Sequence, residues 1–150
     1  MEDFKRQLRN KGFVVKDFNS LTRTAQEAAD QIGCGVGQIV KSIIFKDEDD
    51  RPVLVAASGS NRIDEKKIGG FLNKKMFKAD ADYVKKETGF TIGGVPPFWH
   101  LQKIVTFIDE DLMNYEEVWA AAGASNSVFR IEPQELIDLS GGIIAKIKAE

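Results

Sequence analysis

Two periods of apolar residues run along this chain. Between 24 and 33 the period is that of a helix: Ala25, Ala28, Ala29 and Ile32 recur at i, i+3, i+4 and i+7 and define one buried face. Thr24 followed by Glu27 forms a capping box, in which each side chain meets an orphan N–H of the first turn, and Gly33 supplies the left-handed stop. Phe4 and Leu8 predict a shorter helix over 2–10. Ile68, Phe71 and Leu72 predict one over 64–72. An acidic start, Lys85, Lys86 and Gly89 predict another over 80–88, and Pro133 suits the first turn of a last helix over 133–139.

Elsewhere the pattern is that of strands. Residues 39–45, rich in β-branched side chains, lead through the charged turn 47–51 to an apolar return at 53–57, a hairpin with a longer loop. Residues 58–61 turn the chain again, and 75–79 reads as a short strand. Residues 104–109 form a near-continuous apolar strand, buried on both faces, and 118–122 with 127–131 form a second hairpin. Segment 90–100 carries Gly93, Gly94, Pro96 and Pro97 and fits neither a regular helix nor a central strand. Hairpins with helices between them, rather than an alternating βαβ order, predict an α+β fold. The expectation is a single domain over 1–150 with a mixed, largely antiparallel, partly barrel-like sheet surrounded by helices.

Composition narrows the function. At 150 residues the chain is long enough to hide about two thirds of its unfolded surface without staples. With 21 basic and 23 acidic residues the net charge is −2, which excludes the broad phosphate grip of a strongly basic nucleic-acid binder. One cysteine, Cys34, precludes an internal disulfide and fits a reducing compartment; with the single histidine, His100, it is too little for a zinc site of the usual Cys/His type. A charged start and the absence of a long apolar run predict a cytoplasmic protein with no membrane partner. The glycines at 33, 35 and 37 follow a helix and precede a strand, the reverse of a dinucleotide-binding turn. No local motif supports a triad of Ser58, His100 and Asp109, or Cys34 as a nucleophile.

Two features remain: Lys41 in the middle of an apolar strand and, about fifty residues later, Gly93-Gly94-Val95-Pro96-Pro97-Phe98-Trp99-His100. With the capped helix before Gly33 and the Ala57-Ser58-Gly59 turn, they resemble the YbaK/ProX family of aminoacyl-tRNA deacylases, relatives of the editing domain of bacterial prolyl-tRNA synthetases. The likeness runs from about residue 24 to about 139. It implies hydrolysis, without metal or cofactor, of the ester between a wrong amino acid and the terminal ribose of a tRNA, often that for proline. The partners it implies are the acceptor end of a mischarged tRNA and an aminoacyl-tRNA synthetase. The family lysine matches Lys41 and the family loop matches 93–97. Relatives commonly carry glycine where this chain has Trp99, which predicts a narrowed mouth or a covered side of the pocket.

The residues suit that chemistry. Aminoacyl esters are reactive, so positioning and charge stabilisation matter more than a strong nucleophile. Backbone N–H groups at Gly93 and Gly94 can approach a substrate closely, and Pro96 and Pro97 stiffen the loop that holds them. Lys41 offers a positive charge to a terminal phosphate or ester oxygen. A water, helped by a ribose hydroxyl, then attacks. The expected catalytic set is Lys41, Gly93 and Gly94. Ser58, Gly59, Val95, Pro96, Pro97, Phe98, Trp99 and His100 are the expected substrate-binding residues. The second reading is a module that holds a small ligand or protein in the same pocket without turnover. Slight acidity favours it; the lysine and loop together favour the enzyme.

Overall fold

The computed structural model describes residues 2–18 and 24–150, and the helices fall where their caps place them. Helix α1 is Glu2–Asn10, α2 Ala25–Ile32, α3 Glu65–Leu72, α4 Ala81–Thr88 and α5 Pro133–Ser140. Thr24 Oγ1 accepts from Glu27 N at 3.1 Å, and Asp64 and Asp80 cap α3 and α4 in the same manner. The apolar face of α2, chiefly Ala28 and Ala29, packs on Ile39, Trp119 and Val128.

The strands are β1 Val15–Asp17, β2 Ile39–Asp47, β3 Pro52–Ser58, β4 Met76–Lys78, β5 Val105–Asp109, β6 Val118–Ala121, β7 Ser127–Ile131 and β8 Ile143–Ala145. They form one mixed sheet in the order β1-β7-β6-β2-β3-β5-β8, with β4 also on β2. Both predicted hairpins are present: β2 pairs antiparallel with β3, Lys41 opposite Ala57, and β6 with β7. The β1·β7 and β2·β4 pairs are antiparallel as well, whereas β2·β6, β3·β5 and β5·β8 are parallel.

The sheet separates two larger clusters. Val40, Ile44, Leu54, Ala56 and Phe129 share one with Phe4, Leu8 and Phe98; Phe45, Val53, Val55 and Phe107 share the other with Ile68 of α3. The expectation that the strand at 104–109 is buried on both faces holds for residues 106–109, but Val105 is exposed. Strands β1 and β8 and the two 3₁₀ turns, Val36–Gln38 and Glu110–Asn114, were not predicted. No helix among the described residues is long and apolar enough to cross a membrane.

Candidate active site

Strand β2 shares one edge between two short partners. Parallel β6 pairs with it only at Ile39 and Val40, and β4 only from Phe45 to Asp47. Among the described residues no strand covers that edge between 41 and 44. A cavity of about 640 Å³ is lined by the first two residues of this gap, Lys41 and Ser42. Gly93 and Val95 line it from the loop, Thr24 and Ala25 from the start of α2, and Trp119 and Ala121 from β6. The Ser42 hydroxyl is buried and has no hydrogen-bond partner among the described residues.

Lys41 is half-buried, and its Nζ donates to the backbone carbonyl of Asn61 at 2.8 Å. An ammonium has three donors, so this contact leaves two. Burial pushes the Lys41 amine below the ordinary lysine value, and the negative charge of Asp109 opposes that shift. Of the predicted partners from the 58–61 turn, Gly59 lines the cavity and Ser58 does not. A Cβ at Gly59 would stand 2.4 Å from the carbonyl oxygen of Val36 and 2.9 Å from Cβ of Ala25, so only glycine lets the turn pass beneath the 3₁₀ turn Val36–Gln38 and the start of α2. Ser58 is 1% exposed; its hydroxyl donates to Gly37 O at 2.7 Å, and its N–H donates to Asp109. It belongs to the support beneath the cavity.

The loop divides residue by residue. Gly94 N donates to Thr91 O at 2.9 Å, closing a turn whose third position, Gly93, has φ +90°, as a type II turn requires. The N–H of Gly94 is therefore committed inside the loop and is not free to meet a substrate, which corrects the expectation for that residue. Gly94 acts by close packing: a Cβ there would lie 2.8 Å from Cα of Ala124. Gly93 and Val95 have no backbone hydrogen bond from their N–H groups among the described residues, and both line the cavity.

Beyond Val95 the chain leaves this cavity. Pro96 is buried, and its carbonyl accepts a 2.6 Å hydrogen bond from His100 Nε2. Phe98, 2% exposed, sits among Phe4, Trp99 and Phe129 with ring centroids 4.9–6.3 Å away. Trp99 packs on Phe4 at 5.6 Å with Lys11 over its ring, and so covers α1 rather than the pocket mouth. Its φ of +61° explains why glycine suits this position: a bulky side chain there carries backbone strain. Pro97, Phe98, Trp99 and His100 line a separate cavity of about 430 Å³, shared with Ile104 and the end of α5. The structure thus gathers Lys41, Gly59, Gly93 and Val95 and separates them from Pro97, Phe98, Trp99 and His100.

Ser42, Asn61, Asp109 and the Thr24 end of α2 were missed as parts of the site. The only signals for them were a hydroxyl beside the strand lysine and an aspartate ending an apolar strand. Among the described residues no cluster of three or more His, Cys, Asp or Glu is arranged to hold a metal ion.

The sequence profile of the aminoacyl-tRNA editing domain family matches residues 19–139. The uncharacterized protein YwhH of Bacillus subtilis (strain 168) is 32% identical over 126 residues, 84% of this chain and 80% of that protein. A candidate Cys-tRNA(Pro)/Cys-tRNA(Cys) deacylase, EbsC of Enterococcus faecalis (strain ATCC 700802 / V583), is 24% identical over 83% of this chain and 76% of its own length. The crystal structure of a candidate trans-editing enzyme for prolyl tRNA synthetase superposes with a TM-score of 0.91 at 38% identity, covering 100% of this chain and 99% of that one.

Proposed function

The chain belongs to the aminoacyl-tRNA editing domain family and is an aminoacyl-tRNA deacylase, and from that premise we propose that it hydrolyses mischarged tRNA for proline at the cavity between Lys41 and the 93–95 loop. The observation that carries the reading is the pairing of a tethered, half-buried ammonium with two uncommitted loop N–H groups around one cavity. The names of the trans-editing structure and of the Enterococcus faecalis relative support tRNA for proline, and a synthetase as the partner upstream.

Hydrolysis of an aminoacyl ester passes through a tetrahedral intermediate whose carbonyl oxygen becomes negative. Donors fixed before the reaction stabilise that charge without reorganising. The N–H groups of Gly93 and Val95 are the donors in reach of a ligand in the cavity, and the ammonium of Lys41 holds the terminal phosphate or the ester oxygen. Water adds to the carbonyl carbon. The bond to the ribose oxygen then breaks, and that oxygen leaves with a proton as the tRNA hydroxyl. The free amino acid is the other product. This chain supplies position and charge, with no metal or cofactor in the step. The Ser42 hydroxyl offers a further polar contact to the bound amino acid.

A deacylation panel with purified protein and tRNAs charged with different amino acids tests the assignment. Turnover is expected on at least one wrongly charged tRNA for proline. Lys41→Ala should slow it at least tenfold, which is about 1.4 kcal/mol of transition-state stabilisation, with the unfolding transition unmoved. Equal activity in a folded Lys41→Ala protein defeats the role given to the lysine. Binding without turnover across the whole panel would favour the non-catalytic module.

A further inference from the structure

Beneath Lys41 lies a polar network that the reaction as described does not use. Asp109, 1% exposed, closes β5 beside the end of β3. Its Oδ2 accepts from Ser58 N at 3.0 Å and from Asn61 Nδ2 at 2.8 Å, and its Oδ1 accepts from Asp111 N at 3.0 Å. Asn61 Nδ2 also donates to Asp111 Oδ2 at 2.8 Å, and Lys148 Nζ stands 3.4 Å from that carboxylate. Both amide hydrogens of Asn61 are thus held between two acceptor-only carboxylates, which fixes the orientation of the amide. The backbone carbonyl of the same residue receives the Lys41 ammonium.

We infer that Asn61 and Asp109 are positioning residues for Lys41: Asp109 fixes Asn61, and the Asn61 carbonyl aims the ammonium at the cavity. This rests on the role proposed above for Lys41. A direct ion pair would bind the lysine at least as firmly, but it would neutralise the charge that a substrate oxygen needs. Routing the contact through a neutral carbonyl holds one donor of the ammonium and leaves two for the ligand. The buried carboxylate meanwhile supplies a field that favours the charged lysine without touching it. Asp109 is itself satisfied by three N–H donors, so its charge does not have to be quenched by the lysine. Asp111 and Lys148 form the outer, more exposed end of the network.

The test compares Asp109→Asn, Asn61→Ala and Lys41→Ala. Deacylation kinetics are paired with an NMR titration of the Lys41 Cε resonance in lysine-labelled protein. Asp109→Asn should move the Lys41 titration to lower pH, because the charge that favours the ammonium is gone. Both network variants should lower kcat at least tenfold with KM within about twofold of the parent, since the cavity wall is unchanged. A role confined to folding would move the melting temperature and leave the Lys41 titration where it was. An unmoved Lys41 titration in folded Asp109→Asn overturns the inference, as does parental kcat in Asn61→Ala. If Asp109→Asn does not fold, Asn61→Ala decides through the kcat and KM readings. Loss of activity in Lys41→Ala beside parental activity in both network variants would sink the positioning role and leave the site intact. Activity retained in Lys41→Ala would sink the site itself, whatever the titration shows.

Discussion

The two ends of one short irregular segment do opposite things. At 93–95 the backbone turns on a positive-φ glycine, packs against Ala124 and puts Gly93 and Val95 in the wall of a cavity of about 640 Å³. At 98–100 the side chains lock the same segment down: Phe98 is buried in an aromatic cluster, Trp99 caps α1, and His100 is tied back to Pro96. A backbone intended to meet a ligand must be rigid while exposing polar groups, and within 93–95 that rigidity comes from Val95, buried in the core, and from Gly94 packed on Ala124. The adjacent aromatic cluster anchors the rest of the segment, at the cost of a strained tryptophan. The contrast teaches that closeness in sequence to a site glycine says little about facing the site: within a few residues the chain passes from cavity wall to core.

The contrast can be broken first at the anchor. Phe98→Ala removes a ring from the core cluster and should cost about 3–5 kcal/mol of stability. Chemical denaturation measures that directly. The folded fraction should retain kcat below its lowered melting temperature, because Phe98 does not line the Lys41 cavity. A small stability loss with a large loss of kcat would reverse the roles given to the two ends. The next effect in size lies at the loop. Gly94→Ala places a methyl group 2.8–3.0 Å from backbone atoms of Ala124, and the loop must shift away from the 123–126 turn. Overpacking of this kind costs about 1–3 kcal/mol, and the displaced N–H groups should reduce deacylation at least tenfold. Parental activity with intact stability would show that the register of this loop against Ala124 does not matter.

Much of this was legible in the sequence where the signal is local. Thr24, Asp80, Gly33 and Gly89 sit at helix ends because capping involves residues only a few positions apart, and the structure has each in its cap. The two hairpins were legible for the same reason. The three-residue strands β1 and β8 carry no pattern of their own and exist because β7 and β5 offer an edge. The gap in β2 follows from the parallel β6 pairing, which joins residues far apart in the chain. In the site, Lys41 and the 93–97 segment stood out through the family resemblance. Asn61 reads as an ordinary turn residue and Asp109 as the polar end of a strand; what unites them under Lys41 is the parallel β3·β5 pairing. Trp99 and His100 line the separate cavity rather than the one at Lys41, a division that no local pattern in the sequence marks.

The smallest expected effect concerns His100 and separates the two ends by pH. Burial pushes the imidazole below its ordinary value, outweighing the hydrogen bond to Pro96 O, which favours the protonated ring. The folded protein therefore holds His100 neutral, donating through Nε2, while the unfolded chain takes up a proton near the ordinary value of about 6.5. Protonation then favours the unfolded state. The stability contributed by the neutral ring is complete above about pH 6.5, declines as the unfolded chain protonates, and is gone once the pH has fallen through the lower folded value. Urea midpoints at about pH 8 and about pH 5 should show a larger acid loss in the parent than in His100→Gln, which cannot take up that proton. Carboxylates such as Asp17 and Asp111, whose values are lowered by their hydrogen bonds, titrate alike in both proteins and cancel in the comparison. Because His100 stands outside the Lys41 cavity, the shape of the kcat/KM profile between about pH 6 and about pH 8 should be the same in both proteins. Equal acid losses would remove the histidine from the anchor, and a profile that changes shape in His100→Gln would return it to the site.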